Sequence, residues 1–167
     1  LKFDYKTVET VVDALGGLKY TVPRRMDYDD PADELHIHFP KGTVIEEGSD
    51  IVKALRWRKN NDGSGYTDGD IDRIQNQHEI VQLGINRLLS GNIPLNIMKV
   101  QKPIMNDIKT NMPPDQIIYY MTKLKDVNPE NIKFSTLPGE GKYIESLSFF
   151  VPDKEKMTDI FQPMGSN

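Results

Sequence analysis

The chain of 167 residues carries 37% apolar and 28% charged residues, a formal net charge of -4 and no cysteine. That length suits one domain or a large piece of one, and the missing cysteine excludes disulfides, thiolate catalysis and cysteine-bound metal or iron–sulfur centres. The acidic balance argues against a general nucleic-acid surface, which depends on an excess of Lys and Arg, so any anion site has to be local.

The opening "LKFDYKTVET" lacks the apolar centre of a signal peptide, and no stretch approaches the roughly 20 apolar residues that span a bilayer. It starts abruptly, as expected of a segment cut from a longer chain. Val8, Val11, Val12 and Leu15 then recur at helical spacing, and Gly16-Gly17 ends that helix. "LKYTVP" reads as a short strand closed by Pro23, and "RRMDYDDPADE" as a polar loop rich in turn residues. In "ELHIHF", Leu35, Ile37 and Phe39 alternate with His36 and His38, the period of a half-buried strand.

"GSDIVKAL" predicts a short helix capped by Ser49 or Asp50, "RWR" a strand end, and "NNDGSGYTDG" a loop. The strongest helix is expected over residues 70–90, with Ile71, Ile74, Val81, Ile85 and Leu88 on one stripe and Gly91 beyond its end. "PLNIMKVQKPIMNDIKTNM" and "PPDQIIYYMTKLKDV" predict two further helices separated by Pro113 and Pro114. "IKFSTLP", "GEGKYI" and "ESLSFFVP" read as strands, and "DKEKMTDIF" as a closing helix. The fold class is therefore α/β or α+β, with helices covering a mixed sheet.

Several motifs fail. Asp62, Ser64, Gly65 and Asp68 imitate part of a calcium loop, but Ile71 stands where a bidentate Glu is needed. "DGSGYTDG" lacks dinucleotide spacing, "PGEGKY" lacks the P-loop frame, and no Gly-x-Ser-x-Gly elbow occurs. His36 and His38 offer two metal ligands with no evident third, the pattern of a solvated strand face.

What remains is a cluster of arginines. Arg56 and Arg58, two apart, are expected on one face of a strand, where bidentate forks suit phosphate. Asp70 and Gln77 fall in the same helical direction as Val81 and Leu88, with Arg73 at the margin, so the helix opens polar where its later turns are apolar. A helix N-terminus favours anions. The same residues also suit an internal ion-pair network in which Asp70 holds Arg73 and Arg56 with nothing bound.

In that order, "VVDALGGLKYTVP", "MDYDDPADELHIHFPKG", "ALRWRK" and "DGDIDRIQNQ" resemble the LytR-CpsA-Psr family of bacterial cell-envelope proteins over roughly residues 3–89. The Pro-Gly-Glu segment at Pro138 and "SFFVPDKEKM" resemble the tail common in its members. The resemblance implies an α/β/α sandwich, a mixed central sheet covered by helices, of which this chain is a C-terminal part. Residues 1–127 would belong to the catalytic domain and 128–167 to an extension packed on it.

It further implies an extracytoplasmic phosphotransferase, anchored by one N-terminal membrane helix absent from this chain. Such enzymes move a teichoic acid or capsular polysaccharide from a polyprenyl diphosphate carrier to peptidoglycan. Carried over by position, Arg56 and Arg58 match the family's Arg-x-Arg on the pyrophosphate. Asp70, Arg73 and Gln77 match its Asp-x-x-Arg-x-x-x-Gln helix start, with Arg73 on phosphate and Asp70 and Gln77 orienting the arginines or a hydroxyl. Ile71-Asp72 stands where Gly is usual, and Asn76-Gln77 where Arg-Gln is usual.

The family's upstream Ser-Asp-Thr and Pro-Arg-Asp segments and its acidic magnesium ligands do not occur here, so the Mg2+ site is expected outside this chain and the isolated chain is expected to be incomplete. Ile74, Val81, Ile85 and the aliphatic residues of "NIPLNIMKV" are candidates for the wall of a lipid tunnel. The alternative is a non-catalytic envelope interaction or regulatory module. Older usage calls family members transcriptional regulators or attenuators, a label that the acidic balance and missing DNA-reading motif do not support.

Overall fold

The computed structural model describes residues 4–66, 70–107, 109–145 and 147–160, apart from the side chains of Asp70, Ile71, Ser148 and Asp159. It divides into two compact units, Leu1–Asn131 and Ile132–Asn167.

The first unit opens with α1 (Tyr5–Ala14), whose N-terminus is capped by Asp4: Oδ1 accepts from the Thr7 N–H and the Thr7 hydroxyl, both at 2.9 Å. Those bonds hold the Asp4 carboxyl below its ordinary range. At the other end, Gly16 and Gly17 adopt φ of 81° and 90°, where a side chain would be strained, and let Leu18 turn back to bond Glu46. The Arg87 Nε donates to the Leu15 carbonyl at 3.1 Å, tying this turn to a distant helix.

Two short strands follow the turn in register, β1 (Tyr20–Thr21) with β4 (Val44–Ile45), and between them lies the hairpin of β2 (Met26–Asp30) and β3 (Leu35–Phe39). β3 is the alternating strand expected from its period, with Leu35 and Ile37 buried and both histidines outward. β2 is a departure from expectation, because residues 26–30 read as loop. Asp is disfavoured in strands, but Asp27 and Asp29 face solvent here while Met26 is buried on the core side.

α2 (Gly48–Arg56) begins against α1, and neither Ser49 nor Asp50 caps it. The cap comes from another element: Asp13 Oδ1 accepts the Gly48 N–H at 2.8 Å. A Cβ at Gly48 would stand 2.4 Å from the Glu9 carbonyl, so only glycine permits this approach. The helix continues through Arg56, beyond the expected end, and Trp57 leaves it with φ -62° and ψ 134°.

α3 (Asp70–Leu88) is the long helix predicted from its stripe, with Gly91 at φ 61° just past it. α4 (Ile93–Asp107) carries Pro103 within it, and α5 (Pro114–Lys123) starts on proline; 3-10 turns at Leu124–Asp126 and Pro129–Asn131 complete the unit. The main core joins Val12, Tyr20, Ile37, Ile51, Trp57 and Ile80, drawn from helices and strands alike. Leu15, Val100 and Met121 centre a second cluster under α4 and α5.

The second unit holds β5 (Gly139–Ile144) paired antiparallel with β6 (Leu147–Pro152), then α6 (Lys154–Ile160). "IKFSTLP" is irregular rather than a strand, since its β-formers find no ladder partner. The α/β character is as expected, and the described strands take the form of three antiparallel pairs. Among the described residues no helix is long and apolar enough to cross a membrane.

Candidate functional site

Trp57 organises the arginine segment. It is 1% exposed, and its indole N–H donates to Asn60 Oδ1 at 3.1 Å. Arg56 and Arg58 therefore flank a buried anchor, but not as neighbours on a strand face, because Arg56 closes a helix. Its Nη2 donates to Asp33 Oδ2 at 2.8 Å, and its guanidinium lies 5.5 Å from the centre of the Tyr5 ring. Among the described residues, Asp33 is the acid that Arg56 meets; the expected Asp70 partner has its side chain outside them. Arg58 is exposed and forms no ion pair among the described residues.

On α3, Arg73 and Gln77 are half-buried and one turn apart, so they share a face. Asp70 begins the same helix, with its side chain outside the described residues. Next to Arg73 stands a residue pair that sequence reasoning did not single out. Arg24 lies over the Tyr66 ring at 4.7 Å, donates to the Gly65 carbonyl at 3.1 Å and meets Asp72 at 3.5 Å. Tyr66 in turn packs edge-on against Trp57, 4.8 Å between ring centres. Burial pushes the Tyr66 phenol up to about 12, against the pull of the Arg24 and Arg73 charges. No spacing in the sequence announces this stack, since its members come from three separate segments.

The strand side is locked onto α3 by Tyr20, whose hydroxyl donates to Asn76 Oδ1 in the interior. Burial, with the Glu79 charge, holds that phenol above its ordinary value. Asn76, at the position where the family usually carries Arg, is thus a buried strut beside Gln77.

On the side of α3 that carries Gln77 opens a cavity of about 800 Å³, walled by α1, α2, α3 and α4. That size lies toward the top of the roughly 300–1,000 Å³ range of small-molecule sites. Val8, Val11, Leu55, Ile80, Val81 and Ile104 are among its apolar lining, and Gly84 leaves room where a side chain would intrude. Asp4, Tyr5, Thr7 and Gln77 are its other polar or aromatic members. Arg56 reaches the same place through its contact with Tyr5 and its neighbour Leu55. Of the tunnel candidates only Val81 lines this cavity; Pro94, Ile97 and Met98 of "NIPLNIMKV" line a separate hollow of about 340 Å³ against α5. The valines of α1 were legible as one helix face, but not as a cavity wall.

An apolar chamber with the Gln77 amide on its wall and the Arg56 guanidinium next to Tyr5 suits an amphiphile with an anionic head. Arg56 is available to such a head, because its bond to the exposed Asp33 is of the surface kind, worth about 0–1 kcal/mol.

The sequence matches the LytR_cpsA_psr family over residues 1–165. Among named relatives, the polyisoprenyl-teichoic acid–peptidoglycan teichoic acid transferase TagU of Bacillus licheniformis is 24% identical over 160 residues, covering 96% of this chain and 48% of that protein. The chain spans about half the length of the curated relatives it matches. Among solved structures, a Streptococcus agalactiae protein superposes with a TM-score of 0.73 at 21% identity, over 95% of this chain and 52% of that one. TagV of B. subtilis does so with a TM-score of 0.68 at 19% identity, over 95% and 59%. These likenesses show a shared fold.

Proposed function

We propose that this chain, which belongs to the LytR-CpsA-Psr family, forms part of a glycopolymer–peptidoglycan phosphotransferase of the envelope. The substrate is a teichoic acid or capsular polysaccharide carried on a polyprenyl diphosphate, and the acceptor is a peptidoglycan hydroxyl. Work of this kind belongs on the extracytoplasmic face of the membrane, where carrier and acceptor meet. The observation that carries the reading is the apolar cavity with Arg56 and Gln77 beside it.

In the proposed complex the prenyl chain fills the cavity between α1 and α3. Arg56, Arg58 and Arg73 hold the diphosphate oxygens, and Gln77 orients an arginine or the incoming hydroxyl. The acceptor oxygen bonds to the phosphorus bearing the glycan, the bond from that phosphorus to the bridging oxygen breaks, and prenyl phosphate leaves, the hydroxyl proton passing to solvent or to the departing phosphate. Charge spreads over phosphate oxygens in such a transition state, so fixed guanidinium groups provide much of the catalysis.

Magnesium is the metal the family implies, and it would neutralise diphosphate charge. Among the described residues, the His/Asp/Glu group with ligand spacing is Asp29, His36 and His38. Two imidazoles do not suit an ion that takes an oxygen octahedron, so this group does not fit magnesium and no step runs through it.

The test is a titration of geranylgeranyl diphosphate into the purified protein, beside Arg56→Ala and Arg58→Ala. One charged hydrogen bond is worth about 1.5–3 kcal/mol, so each substitution is expected to weaken binding roughly tenfold to a hundredfold. The Arg56–Asp33 contact favours a second reading, a non-catalytic envelope module with a structural ion pair. Affinity indifferent to both arginines would select it.

A further inference from the structure

A second set of chemistry-bearing side chains lies on the β2–β3 hairpin, and it owes nothing to the transferase reading. The register sets Asp27 opposite His38 and Asp29 opposite His36. All four occupy one face, because Met26 and Ile37 turn to the core. The third ligand that His36 and His38 lack along their own strand is thus supplied by the facing one.

The distances separate this arrangement from two independent ion pairs. Asp27 Oδ1 lies 2.8 Å from His38 Nδ1, and the other ring nitrogen, Nε2, is 3.4 Å from Asp29 Oδ1. That second gap exceeds the roughly 2.7–3.2 Å of a normal N–H···O bond. It matches the edge of about 3.3 Å between two ligands of a tetrahedral zinc ion bound at about 2.0–2.1 Å. His36 Nδ1 lies 2.5 Å from the same Asp29 oxygen, a hydrogen-bond contact that has to open to the same edge when a metal replaces the proton, and one ligand atom from each of Asp29, His36 and His38 falls within 4.8 Å of the others. A carboxylate on the far nitrogen of a ligating histidine, as Asp27 is on His38, is the usual device for fixing that ring toward a metal.

The scaffold is held firmly. Asn60 Oδ1 accepts the Asp27 N–H at 2.6 Å, Asn61 Oδ1 accepts the Asp29 N–H at 2.6 Å, and Asn61 Nδ2 donates to the Asp29 carbonyl at 3.0 Å. Two asparagines thus staple the outer edge of β2, so Asp27 and Asp29 project from a strand bonded along both edges, and β3 is held by its pairing with β2.

We propose that Asp29, His36 and His38 bind one divalent transition-metal ion of the zinc type, with Asp27 as the residue that positions His38. Two imidazoles and one carboxylate favour such an ion over magnesium or calcium, which take oxygen ligands. Three protein ligands leave a fourth position for water.

The experiment is a zinc titration of the tag-free protein by competition with a chromophoric chelator. Imidazole NMR signals of all three histidines are followed in the same samples. One equivalent of zinc is expected to bind at micromolar concentration or below and to shift His36 and His38 while His78 stays in place. His38→Gln and Asp29→Asn are expected to lower affinity at least tenfold, Asp27→Asn roughly tenfold through the lost second contact, and His78→Gln not at all. The substituted side chains are exposed or half-buried, outside the apolar core, and the wild-type NMR shifts need no variant. Absence of saturable binding up to millimolar zinc, or equal binding by His38→Gln, would overturn the proposal and leave the cluster as surface ion pairs.

Discussion

The hairpin face and the arginine face both gather charge, but they balance it differently. On the hairpin each histidine meets an aspartate across the register, so positive and negative groups alternate within one small patch. Beside the cavity, Arg56 lies against Tyr5 of its wall, Gln77 lines it one turn along α3 from Arg73, and the acid bonded to Arg56 is exposed. A patch balanced within itself suits a cation that replaces protons. A guanidinium next to an apolar chamber suits an anion with a greasy tail.

The largest effect should come from removing what both faces depend on. Trp57 anchors the arginine segment and holds Asn60, which in turn bonds the edge of β2. Trp57→Ala is expected to cost about 3–5 kcal/mol, a large share of a typical domain's stability, and to weaken prenyl diphosphate and zinc binding together. Chemical denaturation followed by both titrations measures it; loss of one activity alone would show that the faces do not share this support.

Filling the chamber should separate the faces. A Cβ at Gly84 meets only Leu18, at 3.8 Å, so Gly84→Leu is tolerated and gains about 0.8–1 kcal/mol of helix propensity. Displacing about two methylenes of ligand at about 0.8 kcal/mol each corresponds to roughly tenfold weaker prenyl diphosphate binding. Melting temperature is therefore expected to hold or rise while prenyl affinity falls and zinc affinity stays constant.

A smaller change tests the ion-pair reading of Arg56. Asp33→Asn removes a surface partner, so stability should move by less than about 1 kcal/mol. Prenyl diphosphate should bind up to a few times more tightly, because the guanidinium no longer leaves an acid to reach it. Weaker binding would mean that Asp33 holds Arg56 in place.

The smallest effect is a titration of the metal-free hairpin. The Asp27 contact raises His38 above its ordinary 6.5, and the same contact holds Asp27 below 3.8. The histidine's contribution is complete below 6.5 and lost as pH rises through its higher folded value. The carboxylate's contribution is present above 3.8 and lost as pH falls through its lower folded value. The pair therefore stabilises most between 3.8 and 6.5. Histidine NMR in Asp27→Asn should return His38 toward 6.5.

Much of this was legible in residues alone. The stripe of α3 and the alternation of β3 follow from period, and the order of the quoted blocks pointed to the family before any geometry. What escaped reading lies in partners distant along the chain. The cap of α2 comes from Asp13, the acid on Arg56 is Asp33, and the third metal ligand is Asp29 on the facing strand. β2 was hidden because its solvent-facing aspartates outweighed the period-two signal of Met26 and Tyr28. Arg56 reads as a strand residue because Trp57 looks like one, whereas α2, expected to end at Leu55, runs one residue further and takes in Arg56.

The most direct measurement compares geranylgeranyl diphosphate with geranylgeraniol on the wild type and on Arg58→Ala. With the diphosphate held by the arginines and the tail by the cavity, the preference for the diphosphate should fall roughly tenfold or more in Arg58→Ala while geranylgeraniol binds as before. An unchanged preference, or equal loss of both ligands, would contradict the placement of the head group and with it the proposed function.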